Sequence, residues 1–193
     1  MTTIVAMHTP GVGTLIGSDS QVTDSNRKIN IQGGKWIVSE DGRWGIGVSG
    51  SFRTIVLARE HANKIFDGVK TPFDVSRQIM AMLEADGYTF EGEGGPRCIN
   101  GDFLIASPDG VWDVDGTFSH SEVPLDEIAS CGSGAMYALG AGMALHDIVD
   151  PIVRVTRCLE IASSFDPFTG GPIWLKTLTP SLIGKKTKKR LVK

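Results

Sequence analysis

The sequence predicts an α+β fold built from two antiparallel sheets with helices packed outside them. Three observations carry that reading. Short β-prone runs with turn punctuation fill the opening stretch, and the hydrophobic period then lengthens to that of a helix. The same succession returns in the second half, giving the order strands, two helices, strands, two helices, strand. Each sheet has an apolar face to cover, and helices outside two sheets cover it economically.

Thr3-Ile4-Val5-Ala6-Met7 is the first predicted strand, and Pro10-Gly11-Val12-Gly13 turns it into a second over 14–19. Strands at 35–38 and 44–48 flank Ser39-Glu40-Asp41-Gly42, whose Asp-Gly step signals a hairpin. Phe52, Ile55, Val56, Ala62, Ile65 and Phe66 then fall at helical spacing and predict a helix over 51–66. A second helix opens at Thr71-Pro72, carries Val75, Ile79, Met82 and Leu83 on one face, and stops before Gly87. The segment 87–101 holds five glycines and a proline and is expected to be a loop. Strands follow at 103–106 and 111–114 around Pro108-Asp109-Gly110, and another at 128–131. After Gly132-Ser133-Gly134 a helix runs from Ala135 to about His146. The last helix opens at Asp150-Pro151 with Asp150 as N-cap and Ile152, Val155, Leu159 and Ala162 as its stripe. Residues 172–178 form the final strand.

The chain's 193 residues, 41% of them hydrophobic, suit one domain over 1–184 with a real core. A charged fraction of 21% excludes a disordered chain. No apolar run approaches the roughly 18–20 residues of a membrane helix, and the N-terminus lacks the pattern of a secretory signal. Cys98, Cys131 and Cys158 are odd in number and far apart, which points to reduced thiols in the cytoplasm rather than to disulfides or a zinc site. No cofactor is implied. Six of the 19 basic residues lie in 185–193, so 13 stand against 22 acidic ones in the body. That tail is expected to be solvated and flexible; with no interleaved aromatics and no basic stripe on the body, it argues against a nucleic-acid binder.

Thr2 follows only the initiator Met, and its removal puts a hydroxyl and an α-amine on one residue. Such an amine titrates at roughly 7.7–8.0 and can serve as base for the adjacent hydroxyl, which alone is a poor nucleophile. Asp19 ends the strand expected to pair with that of Thr2, and Lys35 starts a third. If one sheet end brings the three together, Lys35 disfavours protonation of the amine and Asp19 keeps Lys35 charged and oriented. The alternative is an ordinary surface ion pair. Gly50, between a strand and a helix N-terminus, offers backbone N–H groups to an oxyanion, or is simply the glycine that such a turn needs. Gly132-Ser133-Gly134 carries the same ambiguity. His8, His61, His120 and His146 stand apart from other metal-ligand types and are expected to be structural or surface residues.

Together these segments resemble the β-type subunits of the proteasome and the bacterial HslV peptidase, both N-terminal-nucleophile (Ntn) hydrolases. The resemblance spans 2–178. Thr2-Thr3-Ile4-Val5 is similar to the family's mature N-terminus, Asp19-Ser20-Gln21-Val22-Thr23 to its Asp-Ser-x-x-Thr segment, and Lys35 keeps the family's spacing of 16 residues from Asp19. Ser49-Gly50-Ser51 matches its oxyanion turn, Cys131-Gly132-Ser133-Gly134 its Gly-Ser-Gly, and Asp166-Pro167-Phe168-Thr169-Gly170-Gly171 its Asp-x-x-Ser-Gly-Gly. The chain departs from the pattern in one extra residue between Thr2 and Asp19, in Thr169 for the usual serine, and in the 87–101 loop and basic tail.

The resemblance implies a four-layer αββα sandwich and a threonine-type endopeptidase that cleaves unfolded polypeptides through an acyl-enzyme on Thr2. Thr2 is then nucleophile and base, Lys35 tunes its amine, and Asp19 pairs with Lys35. Ser133, Asp166 and Thr169 support the amine, and the Gly50 N–H holds the oxyanion. Thr23 pairs with the main chain of an extended substrate, and Val48 lines the primary side-chain pocket. The resemblance also implies self-association into stacked hexameric or heptameric rings and an AAA+ ATPase unfoldase as partner. Two other readings keep the fold: a non-catalytic ring subunit, and an amidase for small acyl amides.

Overall fold

The computed structural model describes residues 2–24, 27–91, 95 and 97–179. The basic tail at 185–193, and with it the boundary at 184, lies outside the described residues. In chain order the elements are β1 Thr3–Thr9, β2 Gly13–Ser18, β3 Gln21–Asp24, β4 Arg27–Asn30, β5 Trp36–Val38 and β6 Gly45–Val48. Next come α1 Phe52–Glu60, α2 Ala62–Ile65, α3 Pro72–Ala85, β7 Phe90–Glu91, β8 Arg97–Cys98, β9 Phe103–Ser107 and β10 Gly110–Val114. The chain closes with β11 His120–Glu122, β12 Ile128–Gly132, α4 Ala135–Ala144, α5 Pro151–Phe165 and β13 Trp174–Leu178.

Two antiparallel sheets form the centre, one ordered β12-β1-β2-β13 and the other β11-β10-β9-β6-β5. Strands β1, β6 and β9 are buried along most or all of their length because both of their faces are covered. In β1, Ile4 and Ala6 face the other sheet, where they meet Leu104, Ala106 and Val111. Val5 and Met7 face the opposite way, onto Ala138, Val155 and Leu159 of α4 and α5. In β9, Phe103 and Ile105 turn outward to Ile55, Val75, Ile79 and Leu83 of α1 and α3. The period-2 alternation of single strands thus generates three apolar layers between four layers of secondary structure. The sheets pack tightly at Gly47, where a Cβ would overlap Ile4.

Local signals place the helix starts. Ser51 caps α1 by accepting from Arg53 N, Thr71 and Asp74 form a capping box before Pro72, and Asp150 accepts from Ile152 N and Val153 N. Several expectations need correction. The helix expected over 51–66 divides at His61 into α1 and α2. Phe52, Val56 and Ile152, placed on buried stripes by periodicity, are 40%, 38% and 52% exposed. The expected loop at 87–101 contains the small ribbon β7–β8, and strands β3, β4 and β11 had no counterpart in the hydrophobic pattern. Among the described residues no helix is long and apolar enough to cross a membrane.

Candidate active site

Thr2 lies at the head of β1, where Thr3 stands opposite Gly132 of β12 and Ile4 opposite Ser18 of β2. It is buried, and it lines a cavity of about 10 Å³ together with Val22, Lys35, Val48, Gly50 and Phe52. That is about the room one water needs. Larger clefts of about 440 and 720 Å³ flank Trp44 and contain none of the candidate residues.

Asp19 and Lys35 meet, but not at the end of one sheet. Asp19 directly follows β2, whereas Lys35 leads into β5, the edge strand of the other sheet. The pair therefore bridges the two sheets. Lys35 Nζ lies 3.0 and 2.9 Å from the two Asp19 carboxylate oxygens and also donates to the Gln21 carbonyl. Asp19 Oδ1 accepts from Thr3 N at 2.9 Å, and Oδ2 accepts from Gln21 N at 3.1 Å and Gly170 N at 3.2 Å. The side chains are 2% and 0% exposed, which overturns the surface-pair alternative. Burial pulls the Lys35 amine below its ordinary pKa, and the Asp19 charge and hydrogen bonds oppose that pull. Taking two charges out of water costs several kcal/mol per ion, so such a pair is a poor stabiliser compared with apolar side chains.

A second carboxylate lies on the α5 side. Asp166, the residue after α5, accepts at Oδ2 from Ser133 Oγ and Thr169 Oγ1, both at 2.6 Å, and at Oδ1 from Phe168 N at 3.1 Å. Burial pushes this carboxyl up, and the donors from Ser133, Thr169 and Phe168 together hold it below the ordinary carboxylate range. Ser133 Oγ is also 3.5 Å from the Thr2 carbonyl. The Gly132 turn fits tightly: its φ is +99° and a Cβ there would overlap the Thr2 carbonyl oxygen.

Gly50 has φ +95° and sits between β6 and the Ser51 cap of α1. The turn is braced from behind. Ser49 N and Oγ donate to Asp102 O at 2.9 and 2.8 Å, and a Cβ on Gly50 would strike the Asn100 carbonyl. Only a glycine accepts both that φ and that contact. Gly50 borders the Thr2 cavity, which places the turn beside the candidate nucleophile.

Of the two candidate substrate residues, Val48 borders the cavity and Thr23 does not. Thr23 lies in the two-stranded ribbon β3–β4, opposite Lys28, so among the described residues one edge of β3 carries no strand. Three contributors were missed. Gln21 Nε2 ties Thr23 Oγ1 at 3.1 Å to Pro167 O at 3.0 Å; Gly170 holds Asp19; and Thr3 touches Asp19 through its amide and Thr169, the Asp166 donor, through its hydroxyl. Thr3 left a signal, as a hydroxyl heading the apolar run 4–7. Two of the histidines make hydrogen bonds away from the candidate residues: His8 Nδ1 pairs with Thr14 Oγ1 at 2.8 Å, and His120 Nε2 with Ser76 Oγ at 2.6 Å.

No protein-family model matches the chain, and no curated protein matches it by sequence. Solved structures do. Thiobacillus denitrificans BPH matches with a TM-score of 0.75 at 23% identity, over 93% of this chain and 100% of that one. Its complex with epoxomicin matches at 0.73 and 21%, with the same coverage. Eukaryotic HslV from Trypanosoma brucei matches at 0.67 and 22%, again over 93% and 100%. Identities this low speak to architecture, and that architecture agrees with the two covered sheets: the chain has the Ntn-hydrolase fold, the fold of HslV.

Proposed function

We propose that the protein is a threonine-type peptidase subunit. The observation that carries the reading is the buried Asp19–Lys35 pair lining, through Lys35, the same small cavity as Thr2 and Gly50. A structural subunit has no use for a charged lysine buried beside its N-terminal strand, so this observation disfavours the non-catalytic alternative. The likeness to BPH and HslV supports the reading at the level of fold.

The chemistry follows from the residues. Removal of Met1 frees the Thr2 amine. Thr2 Oγ attacks the scissile carbonyl carbon while the amine takes the hydroxyl proton, and the Gly50 N–H meets the developing oxyanion. The amine passes that proton to the departing peptide amine as the C–N bond breaks, leaving an ester on Thr2. Water, deprotonated by the same amine, then cleaves the ester. Lys35 keeps the amine unprotonated by like charge, and Asp19 holds Lys35 in place. Asp166, with Ser133 and Thr169, orients the amine. Val48 contributes to the side-chain pocket, and the open edge of β3 at Thr23 receives an extended polypeptide by strand addition.

Self-association into stacked hexameric or heptameric rings in the cytoplasm belongs to the same proposal. It is supported by the exposed apolar side chains along and after α4: Met136, Met143 and Val149 are 77%, 79% and 89% exposed. An AAA+ unfoldase as partner rests on the family resemblance.

Intact mass before and after incubation with epoxomicin, the molecule bound to BPH, tests the reading. Loss of Met1 and one adduct per chain that disappears in Thr2→Ala is the expected result. Retained Met1 with no adduct, or peptide hydrolysis undiminished in Thr2→Ala, overturns it. Turnover of small acyl amides with none of peptides would point to the amidase.

A further inference from the structure

Thr3 connects the two carboxylate groups of the site. It is fully buried at the start of β1. Its amide donates to Asp19 Oδ1 at 2.9 Å, and its hydroxyl lies 2.6 Å from Thr169 Oγ1. The direction of that second bond follows from counting protons. Thr169 Oγ1 donates its proton to the Asp166 carboxylate at 2.6 Å, a charge-assisted bond. A hydroxyl has one proton, so Thr169 accepts from Thr3, and Thr3 Oγ1 is the donor. Ser133 commits its proton to the same Asp166 oxygen at 2.6 Å, in preference to the Thr2 carbonyl at 3.5 Å. All three hydroxyl protons run toward Asp166, which leaves the Ser133 lone pairs available to accept from a nearby N–H. The contact is close enough to exclude a side chain on Gly134, where a Cβ would overlap Thr3 Oγ1 and lie 3.0 Å from Thr169 Oγ1.

We propose that Thr3 is a positioning residue for the Thr2 reaction. Through its hydroxyl it fixes Thr169 as a donor to Asp166, and through its amide it fixes Asp19, so that the residue bearing the nucleophile is anchored to both groups at once. This assignment rests on the threonine-peptidase reading. The ionisable groups facing the network are Asp19, Lys35 and Asp166, contributed by the segments after β2, before β5 and after α5.

Thr3→Val keeps the β-branched shape and removes the hydroxyl. The assay is hydrolysis of a fluorogenic peptide by full-length protein whose loss of Met1 has been checked by mass. The expected result is a fall in kcat of about tenfold, as loss of one hydrogen bond implies, with KM within about twofold of wild type. The acid limb of the pH–rate profile should move to higher pH as Asp166 loses part of its support. Thr3→Ser should restore both. In a Thr169→Val background, Thr3→Val should cost little more, since the two hydroxyls act in series. Unchanged kcat and pH profile in Thr3→Val, whatever happens to its melting temperature, overturns the assignment. If Thr3→Val does not fold, Thr3→Ala is compared with Thr3→Ser in its place. Failure of both to fold assigns Thr3 to structure alone and also overturns the proposal. Wild-type protein with no hydrolysis and no Thr2 adduct overturns the peptidase reading itself, a result distinct from an active wild type with a silent Thr3.

Discussion

Replacing Lys35 with methionine removes one charge from a pair that is buried on both sides, with side chains 2% and 0% exposed. Stability and activity should both suffer, for separable reasons. Removing one partner of a buried pair costs about 3–5 kcal/mol, because the other charge is left in a low-dielectric interior. Asp19 keeps three amide donors, from Thr3, Gln21 and Gly170, which sets the cost near the lower end, about 3 kcal/mol. For a domain of this size that is a drop of roughly 6–12 °C in Tm. Activity of the folded fraction should fall about 10²–10⁴-fold if Lys35 tunes the Thr2 base. The discriminating variant is the double replacement Lys35→Met with Asp19→Asn. The stranded charge is gone, although the Asn amide nitrogen, a donor, must face the N–H of Thr3 or those of Gln21 and Gly170. Urea unfolding should therefore recover part of the lost stability, while peptide hydrolysis stays at the level of the single variant. Recovery of activity along with stability would refute the reasoning, because the pair would then be only a structural bridge between the sheets.

Two further outcomes follow from the same geometry. Ser133→Ala removes one of the hydroxyl donors that depress the Asp166 carboxyl. A carboxyl whose folded value is lowered contributes stability fully above its unfolded value of about 3.9, and loses it as pH falls through the folded value. The variant should therefore be less stable at neutral pH by about 1 kcal/mol, and the difference should shrink toward zero in acid unfolding curves below that window. Wild-type and variant curves separated equally at all pH values would count against the hydroxyl's hold on Asp166. Gly132→Ala should abolish hydrolysis, since the new Cβ meets the Thr2 carbonyl oxygen at a φ of +99° that alanine resists. Full turnover with an unchanged melting temperature would show that the Thr2 carbonyl is free to move.

The parts of the fold legible in the sequence are those set by local chemistry. Asp41-Gly42 makes its hairpin with Gly42 at φ +69°, and Asp150-Pro151 and Thr71-Pro72 start their helices as their caps dictate. Strands buried on two faces, such as β1 and β9, announce themselves as apolar runs. Strands with little to bury do not: Arg27-Lys28-Ile29-Asn30 is exposed throughout, and β11 is a three-residue polar edge. Periodicity also overcounts, because it registers that Phe52, Val56 and Ile152 are apolar without registering that no layer lies opposite them in a single chain.

The site divides along the same line. Thr2, Asp19, Lys35, Gly50 and Ser133 each stand at an element boundary with the right chemistry, so they can be nominated one at a time. Their mutual arrangement is a property of the sandwich. The lysine leads into the edge strand of one sheet and the aspartate follows a strand of the other, so the ion pair depends on the apolar layer of Ile4, Ile16, Leu104 and Ala106 that holds the sheets together. That dependence has a physical consequence. A charge pair that costs free energy to bury can be formed only at the expense of the apolar interface around it, so weakening that interface should loosen the Thr2 site before it unfolds the chain. The most informative place to watch is Gly47, where the Ile4 side chain of the facing sheet already occupies the space a Cβ would take.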